Sequence, residues 1–229
     1  MKTMTGKLYI VSTPIGNLKD ITLRAIETLN EVDFILCEDT RVTSVLIKQY
    51  SIIKQLISFN AVSEVKKIPM IIERLQNGQS YALVSDSGTP AISDPGIRLV
   101  SEAIKNEIEV ISIPGATALI AALTISGLPT DSFVFEGFLP QKKGRQKKLG
   151  ELSKEDRTIV LYESSHRIEK LIEELVQYFP ERYVVVCREL TKKFEESWRG
   201  YPAELKEKLN EKIIKGEFVV VIASKDWKV

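Results

Sequence analysis

The sequence predicts an α/β protein, and three observations carry that expectation. Short apolar runs rich in Ile, Val, Leu and Tyr recur along the chain, helical periodicities lie between them, and the runs are apolar at successive positions. Strands covered on both faces must read this way, so the pattern implies a mostly parallel sheet with helices on either side.

The runs of the first half fall at residues 7–11, 33–37, 55–59, 80–85 and 109–113. Between the first two, Ile21, Ala25, Ile26 and Leu29 share one helix face behind Asp20, the expected N-cap. Asp94 and Pro95 mark another helix start, with the carboxylate at the cap and proline at the first helical position, where its missing N–H costs nothing. After "ISGLPTDSFVFEGFLPQKKGR" the texture changes, because Gly127, Pro129, Gly137, Pro140 and Gly144 crowd together. The boundary between two α/β domains is expected there, giving residues 1–128 and 129–229. The second domain is expected to hold strands at 158–162, 183–188 and 218–223, another around 196–200, and helices at 167–178 and 203–215.

Composition narrows the function classes. Lys and Arg total 32 against 31 for Asp and Glu in 229 residues, so any attraction to nucleic acid must be local. No apolar run approaches the roughly 20 residues of a membrane span, and "MKTMTGK" lacks the apolar stretch of a signal peptide. No membrane role and a cytoplasmic location are therefore expected. Cys37 in "DFILC" and Cys187 in "YVVVC" read as small buried hydrophobes. A single histidine and two distant cysteines are too few for a zinc site or a Cys-His nucleophile, and no metal is expected.

Chemistry gathers at the strand ends. "STPIGN" follows the first strand, "EDTR" the second, "SDSGTP" the fourth and "PGATA" the fifth. In parallel sheets ligands collect outside the carboxyl ends of the strands, and these loops would form that rim. Gly16, Gly88 and Gly115 permit close backbone approach, while Asp39 and Asp86 would accept hydrogen bonds from a ribose or an amino group. Neither GxGxxG nor GxxxxGK[ST] occurs in these loops, which argues against a nicotinamide or P-loop enzyme. In the connection, "KKGRQKK" sets Lys142, Lys143, Arg145, Lys147 and Lys148 among seven positions. It reads either as a solvated helix start or as a phosphate-binding arm, with Phe138 nearby as a base-stacking or packing residue. His166 in "YESSHR" sits near a helix start, as a cap or a catalytic group. "CRELTKKFEESWRG" alternates charges, as a salt-bridged surface or a cleft wall.

Eight ordered stretches together, "LYIVSTPIGNLKDITLRAIETL", "EDTR", "SDSGTPAISDPG", "PGATALIAAL", "GLPTDSFVFEGFLPQKKGR", "YESSHR", "RELTKKFEE" and "GEFVVVIA", resemble the small-subunit rRNA methyltransferase I family of the tetrapyrrole methylase superfamily. The resemblance implies two α/β domains of the tetrapyrrole methylase type with S-adenosyl-L-methionine in the interdomain cleft, usually as a homodimer. It also implies methyl transfer to the ribose 2′-oxygen of a cytidine in the decoding region of 16S rRNA, with the small ribosomal subunit as partner. Carried over by motif, Pro14 and Gly16 would line the cofactor cleft, and Asp86, Ser87, Gly88 and Thr89 would hold its amino-acid tail or ribose. Gly115, Ala116 and Thr117 would meet its other side, and Arg188, Glu189 and Leu190 would close the pocket.

A ribose hydroxyl is a poor nucleophile at neutral pH and needs a proton acceptor. Glu38, Asp39 and Glu163 are candidates, with Arg41 or Lys192 as charge stabilisers. Under the resemblance Lys142, Lys143, Arg145, Lys147 and Lys148 become RNA contacts. "SFNAVSE", residues 58–64, departs from the family's histidine-containing stretch, and the sequence stops at "SKDWKV" without the further segment some members carry. The first departure leaves room for altered substrate choice or for a catalytically weakened RNA-binding module, and the second would weaken ribosome docking; a small-molecule methylase of the same superfamily is the other alternative.

Overall fold

The computed structural model describes residues 5–209 and 214–228. By packing, the chain separates into two compact units, Met1–Thr117 and Ala118–Val229.

In the first unit β1 (Lys7–Val11), β2 (Phe34–Cys37), β3 (Gln55–Ser58), β4 (Tyr81–Leu83) and β5 (Glu109–Ile113) form one sheet in the order β3-β2-β4-β1-β5. Every pairing in it is parallel. The crossovers carry α1 (Leu23–Glu31), α2 (Thr40–Gln49), α3 (Glu64–Gln76) and α4 (Ile97–Lys105). Alternate residues of a strand point to opposite faces, and β4 shows both. Tyr81 and Leu83 pack with Phe59, Ile71, Leu75 and Leu99 beneath α3 and α4. Ala82 packs with Ala25, Leu29, Ile35 and Ile47 beneath α1 and α2. Burial on both faces is why these strands read as continuous apolar runs.

Two helix starts differ from expectation. Thr22, whose hydroxyl accepts the Ala25 N–H at 3.1 Å, caps α1, while Asp20 ends a short 3-10 turn at Leu18–Asp20. At α4 the cap is Gly96, and Asp94 and Pro95 stay in the preceding loop, because Ser93 at φ 64° and Gly96 at φ 133° turn the chain away from helical dihedrals.

The second unit begins with α5 (Ala118–Ser126), followed by β6 (Phe133–Phe138), α6 (Arg145–Leu152), β7 (Thr158–Ser164), α7 (Ile168–Tyr178), β8 (Val184–Arg188), β9 (Glu196–Gly200), α8 (Pro202–Leu209) and β10 (Glu217–Ile222). Its sheet runs β6-β7-β10-β8-β9. Only β6 and β7 pair in parallel, so the loops after both leave from one edge; the other pairings are antiparallel. Leu149, Leu171, Leu175 and Leu205 of the helices pack on Ile159, Leu161, Val186 and Val220 of the strands. The α5 helix packs against β7 and β10, which is why it groups with this unit although the expected boundary at 128/129 puts it in the first. Of the helix expected at 203–215, α8 is the described part; residues 210–213 lie outside the described residues, and residues 214 and 215 are not helical.

Candidate functional site

Five parallel strands deliver every following loop to one edge of the first sheet. There the loops after β1, β4 and β5 are tied together. The Thr13 N–H donates to the Gly88 carbonyl at 2.8 Å, and the Thr13 hydroxyl donates to the Ser85 carbonyl at 3.1 Å. Ser12 and Thr89 share a hydroxyl hydrogen bond of 3.0 Å, and Thr89 donates onward to the Ala116 carbonyl at 3.2 Å. Gly88 holds φ +84°, and a Cβ there would meet Ile15 Cγ2 at 3.2 Å. Gly115 comes so close to β1 that a Cβ would meet the Ser12 Cβ at 2.9 Å. Small residues and paired hydroxyls thus bind three loops into one rim.

The structure brings Gly88, Thr89, Gly115 and Ala116 together, and adds Ser12, Thr13 and Ser85, which the sequence reading did not single out. Asp86, Ser87, Gly16 and Gly115 are exposed on the rim, whereas Pro14 is buried and shapes its loop; Thr117 is half-buried at its end. Between Ser85 and Ile97, Ala91 (φ 66°) and Ser93 (φ 64°) hold left-handed backbone without being glycine. Strain of about 1 kcal/mol or more per such residue persists only where the surroundings over-determine it, and it concentrates at functional loops.

Carboxylates gather beside this rim. The Asp86 carboxylate accepts the Asp39 backbone N–H at 3.1 Å, joining the loop after β2 to the loop after β4. Burial, with the charges of Asp94 and Asp86, pushes Glu38 up to about 7. Burial also pushes Asp94 up to about 6, against a hydrogen bond from Ser85 and with the Asp86 charge assisting. In the sequence Asp94 reads only as a helix cap, because Asp-Pro marks a helix start. Asp39 behaves oppositely: it caps α2, accepts the Arg41 N–H at 2.8 Å, and is forked by the Arg41 guanidinium. Those bonds hold it at about 2, far below Glu38, so of the two adjacent carboxyls Asp39 is the weaker proton acceptor, and Arg41 is paired with it. Nearby, "SFNAVSE" forms a closed turn in which Asn60 Oδ1 accepts the N–H groups of Val62 and Ser63, and Glu64 pairs with Arg98 at 3.4 Å.

In the second unit several expected site residues are engaged in buried or paired contacts. Glu163 is buried, bonded to Arg167 at 2.8 Å and to Arg145 at 3.4 Å, so its carboxylate is not available to a substrate proton. Arg145 is 2% exposed, and its guanidinium also binds Glu174 at 2.8 Å and the Pro140 carbonyl at 3.3 Å. A guanidinium so enclosed does not contact a phosphate from solvent; its place in the RNA-contact set is corrected. Lys148 pairs with Glu136 at 3.0 Å, while Lys142, Lys143 and Lys147 are exposed. The Arg188 guanidinium is spent on the Lys215 carbonyl, the Phe194 carbonyl and Glu196. Lys192 bridges Glu189 at 2.8 Å and Glu217 at 2.7 Å, which neutralises it as a charge stabiliser and occupies Glu189. Leu190 is buried, and His166 is exposed ahead of α7. Among the described residues no group of three or more His, Cys, Asp or Glu is arranged to hold a metal, and no helix is long and apolar enough to cross a membrane.

Residues 7–206 match the family described as Tetrapyrrole (Corrin/Porphyrin) Methylases, and the chain belongs to that family. Within it the similarity is to proteins named ribosomal RNA small subunit methyltransferase I. The Thermotoga maritima protein is 46% identical over 96% of this chain and 100% of its own length. The Synechocystis protein is 50% identical over 95% and 79%, and the Haemophilus influenzae protein 45% identical over 98% and 81%. The fold is shared with solved structures at lower identity. Diphthine synthase matches with a TM-score of 0.74 at 17% identity over 95% of this chain and 90% of that one. Uroporphyrin-III C-methyl transferase from Thermus thermophilus, complexed with S-adenyl homocysteine, matches with a TM-score of 0.66 at 17% identity over 95% and 97%.

Proposed function

We propose that this methyltransferase uses S-adenosyl-L-methionine to methylate the ribose 2′-oxygen of a cytidine in the decoding region of 16S rRNA. The observation that carries the reading is identity of 45–50% over nearly the whole chain to proteins named for small-subunit rRNA methylation. The rim of the first sheet suits such a cofactor, since Gly88 and Gly115 lie where backbones approach too closely for a side chain, and exposed Asp86 and Ser87 offer acceptors for hydroxyl or amino groups. When bound, the cofactor supplies an electrophilic methyl group on a sulfonium, which leaves as a neutral thioether.

The protein's own contribution is positioning and proton removal. Orienting the two reacting groups in line converts a bimolecular step into a unimolecular one, and the bound loops provide a rim that does not have to be ordered at that moment. Glu38 is the acceptor for the 2′-hydroxyl proton: a carboxyl at about 7 is partly ionised at neutral pH, yet basic enough to take a proton as the oxygen commits. Asp39, held at about 2, has too little basicity for the task. Action on ribosomal subunits implies a cytoplasmic site of work, and a homodimer is part of the same proposal. Incubation with labelled cofactor and small ribosomal subunits, followed by mapping of 2′-O-methyl cytidine, tests the reading. Transfer to a porphyrinogen without transfer to subunits overturns it.

A further inference from the structure

The basic segment and α7 enclose a concavity of about 340 Å³ lined by Lys142, Gly144, Arg145, Gln146, Lys147, Lys170 and Glu174. Small-molecule pockets of this size are predominantly apolar with a few polar groups. Here every lining residue but Gly144 is charged or polar, their aliphatic stems sharing the surface with the polar ends, and the concavity is open to solvent, so it suits an extended polyanion lying across it.

Charge accounting sharpens the point. Arg145 is matched on the floor by Glu174 at 2.8 Å and Glu163 at 3.4 Å, with Arg167 also bound to Glu163 at 2.8 Å. Two guanidiniums thus answer two carboxylates, and the floor is neutral. What remains is Lys142, Lys147 and Lys170 around the rim. Of these only Lys147 has a carboxylate within 4 Å, Glu151 at 3.9 Å, among the described residues. The first turn of α6 opens into the same concavity, and its cap, Gly144 at φ +86°, supplies no side chain to satisfy that turn's N–H groups. Because Arg145 also grips the Pro140 carbonyl at 3.3 Å, the turn carrying Lys142 is tied to a buried network. The lysines therefore surround a preorganised seat.

We propose that this concavity is a phosphodiester subsite for the RNA substrate, with Lys142, Lys147 and Lys170 as its contacts. The inference rests on the rRNA reading above and adds Lys170, which stands 28 residues beyond Lys142 in "RIEKLIEEL" and looks in sequence like an ordinary surface position of an amphipathic helix. Phosphate neutralisation sets the slope of log affinity against log salt, at about 0.7 per single-strand contact and about 0.9 per duplex contact.

The test is a salt titration of the intact protein binding purified small-subunit rRNA, comparing wild type with Lys170→Ala, Lys170→Glu and Lys142→Ala/Lys147→Ala. Lys154→Ala, an exposed position in the turn just after α6, serves as the equal-charge control, and thermal midpoints verify folding. Lys170→Ala is expected to reduce the slope by about 0.7 to 0.9, the double variant by about twice that, and the control not at all. Lys170→Glu should weaken binding more than Lys170→Ala. A Lys170→Ala slope equal to that of the control overturns the subsite, as does wild-type protein that fails to bind the RNA. Methylation measured in parallel separates the two ideas: a lysine-dependent slope without 2′-O-methyl cytidine keeps the subsite and rejects the function, whereas methylation with an unaltered Lys170→Ala slope does the reverse.

Discussion

The carboxylate of Asp86 accepts the backbone N–H of Asp39 at 3.1 Å, so two loops far apart in sequence are fastened across the edge of the first sheet. A carboxylate accepting an amide N–H contributes about 1.5–3 kcal/mol when sheltered, and at this exposed position the lower end at most applies. Asp86→Ala is expected to reduce cofactor affinity about tenfold or more in calorimetry, by that scale. Asp86→Asn, which keeps an acceptor oxygen, should lose less. Equal affinities for wild type and Asp86→Ala would remove Asp86 from the site.

Gly115→Ala presses a methyl group onto Ser12, where the present separation from that position is 2.9 Å. Overpacking of this kind costs about 1–3 kcal/mol. Since Ser12 bonds Thr89, the displacement should travel into the loop after β4 and lower cofactor affinity more than it lowers the thermal midpoint. A variant with native affinity would show that the rim tolerates separation of its loops.

Glu163 separates structure from chemistry. Removing one member of a buried ion pair typically costs 3–5 kcal/mol, because the remaining charge stays buried. Glu163→Ala should therefore destabilise the second unit by about 3 kcal/mol in denaturant unfolding. Glu163→Gln, measured under conditions where it is folded, should retain the wild-type pH dependence of kcat/KM. Loss of the acidic limb in that variant would make Glu163 a proton acceptor after all.

The raised carboxyls give pH dependences of known sign. Glu38 at about 7 and Asp94 at about 6 bind more protons in the folded chain than in the unfolded one, where their ordinary values are 4.5 and 3.8. Their contribution to stability is full below those ordinary values and is lost as pH rises through about 6 to 7. Glu38→Gln and Asp94→Asn should flatten the fall of the thermal midpoint between about pH 4 and 8. Activity is expected to run the other way, since in its proposed role Glu38 must be ionised to take a proton. kcat/KM should climb through about pH 7 in wild type, and the climb should vanish in Glu38→Gln. An unchanged acidic limb in that variant would assign the proton elsewhere.

Much of the first unit was legible because its strands are buried on both faces, so that "YALVS" announces β4 without tertiary knowledge. The strand β6 hid inside a stretch read as a linker, since Gly137 there marks a bulge against β7 and not a break. Nor does "KKGRQKK" disclose that one of its five cations faces inward: the partners of Arg145 stand 18 and 29 residues away, on β7 and α7. Spacing can expose a periodic face, but not a long-range ion pair. The same limit separated Asp39 from Glu38, adjacent carboxyls that acquire opposite proton affinities from an arginine fork and from burial.

Strand β10 is the last in sequence yet lies third in its sheet, between β7 and β8. During synthesis the first unit has all five of its strands while the second still lacks its centre. Until residues 217–222 emerge, β7 and β8 each present an unpaired backbone edge, a template for wrong pairing with other chains. Domains generally fold as units, N-terminal first, so a nascent chain of this protein passes through an interval with one finished half and one open half. Mutations that slow the arrival of β10 would register as aggregation before they register as lost stability.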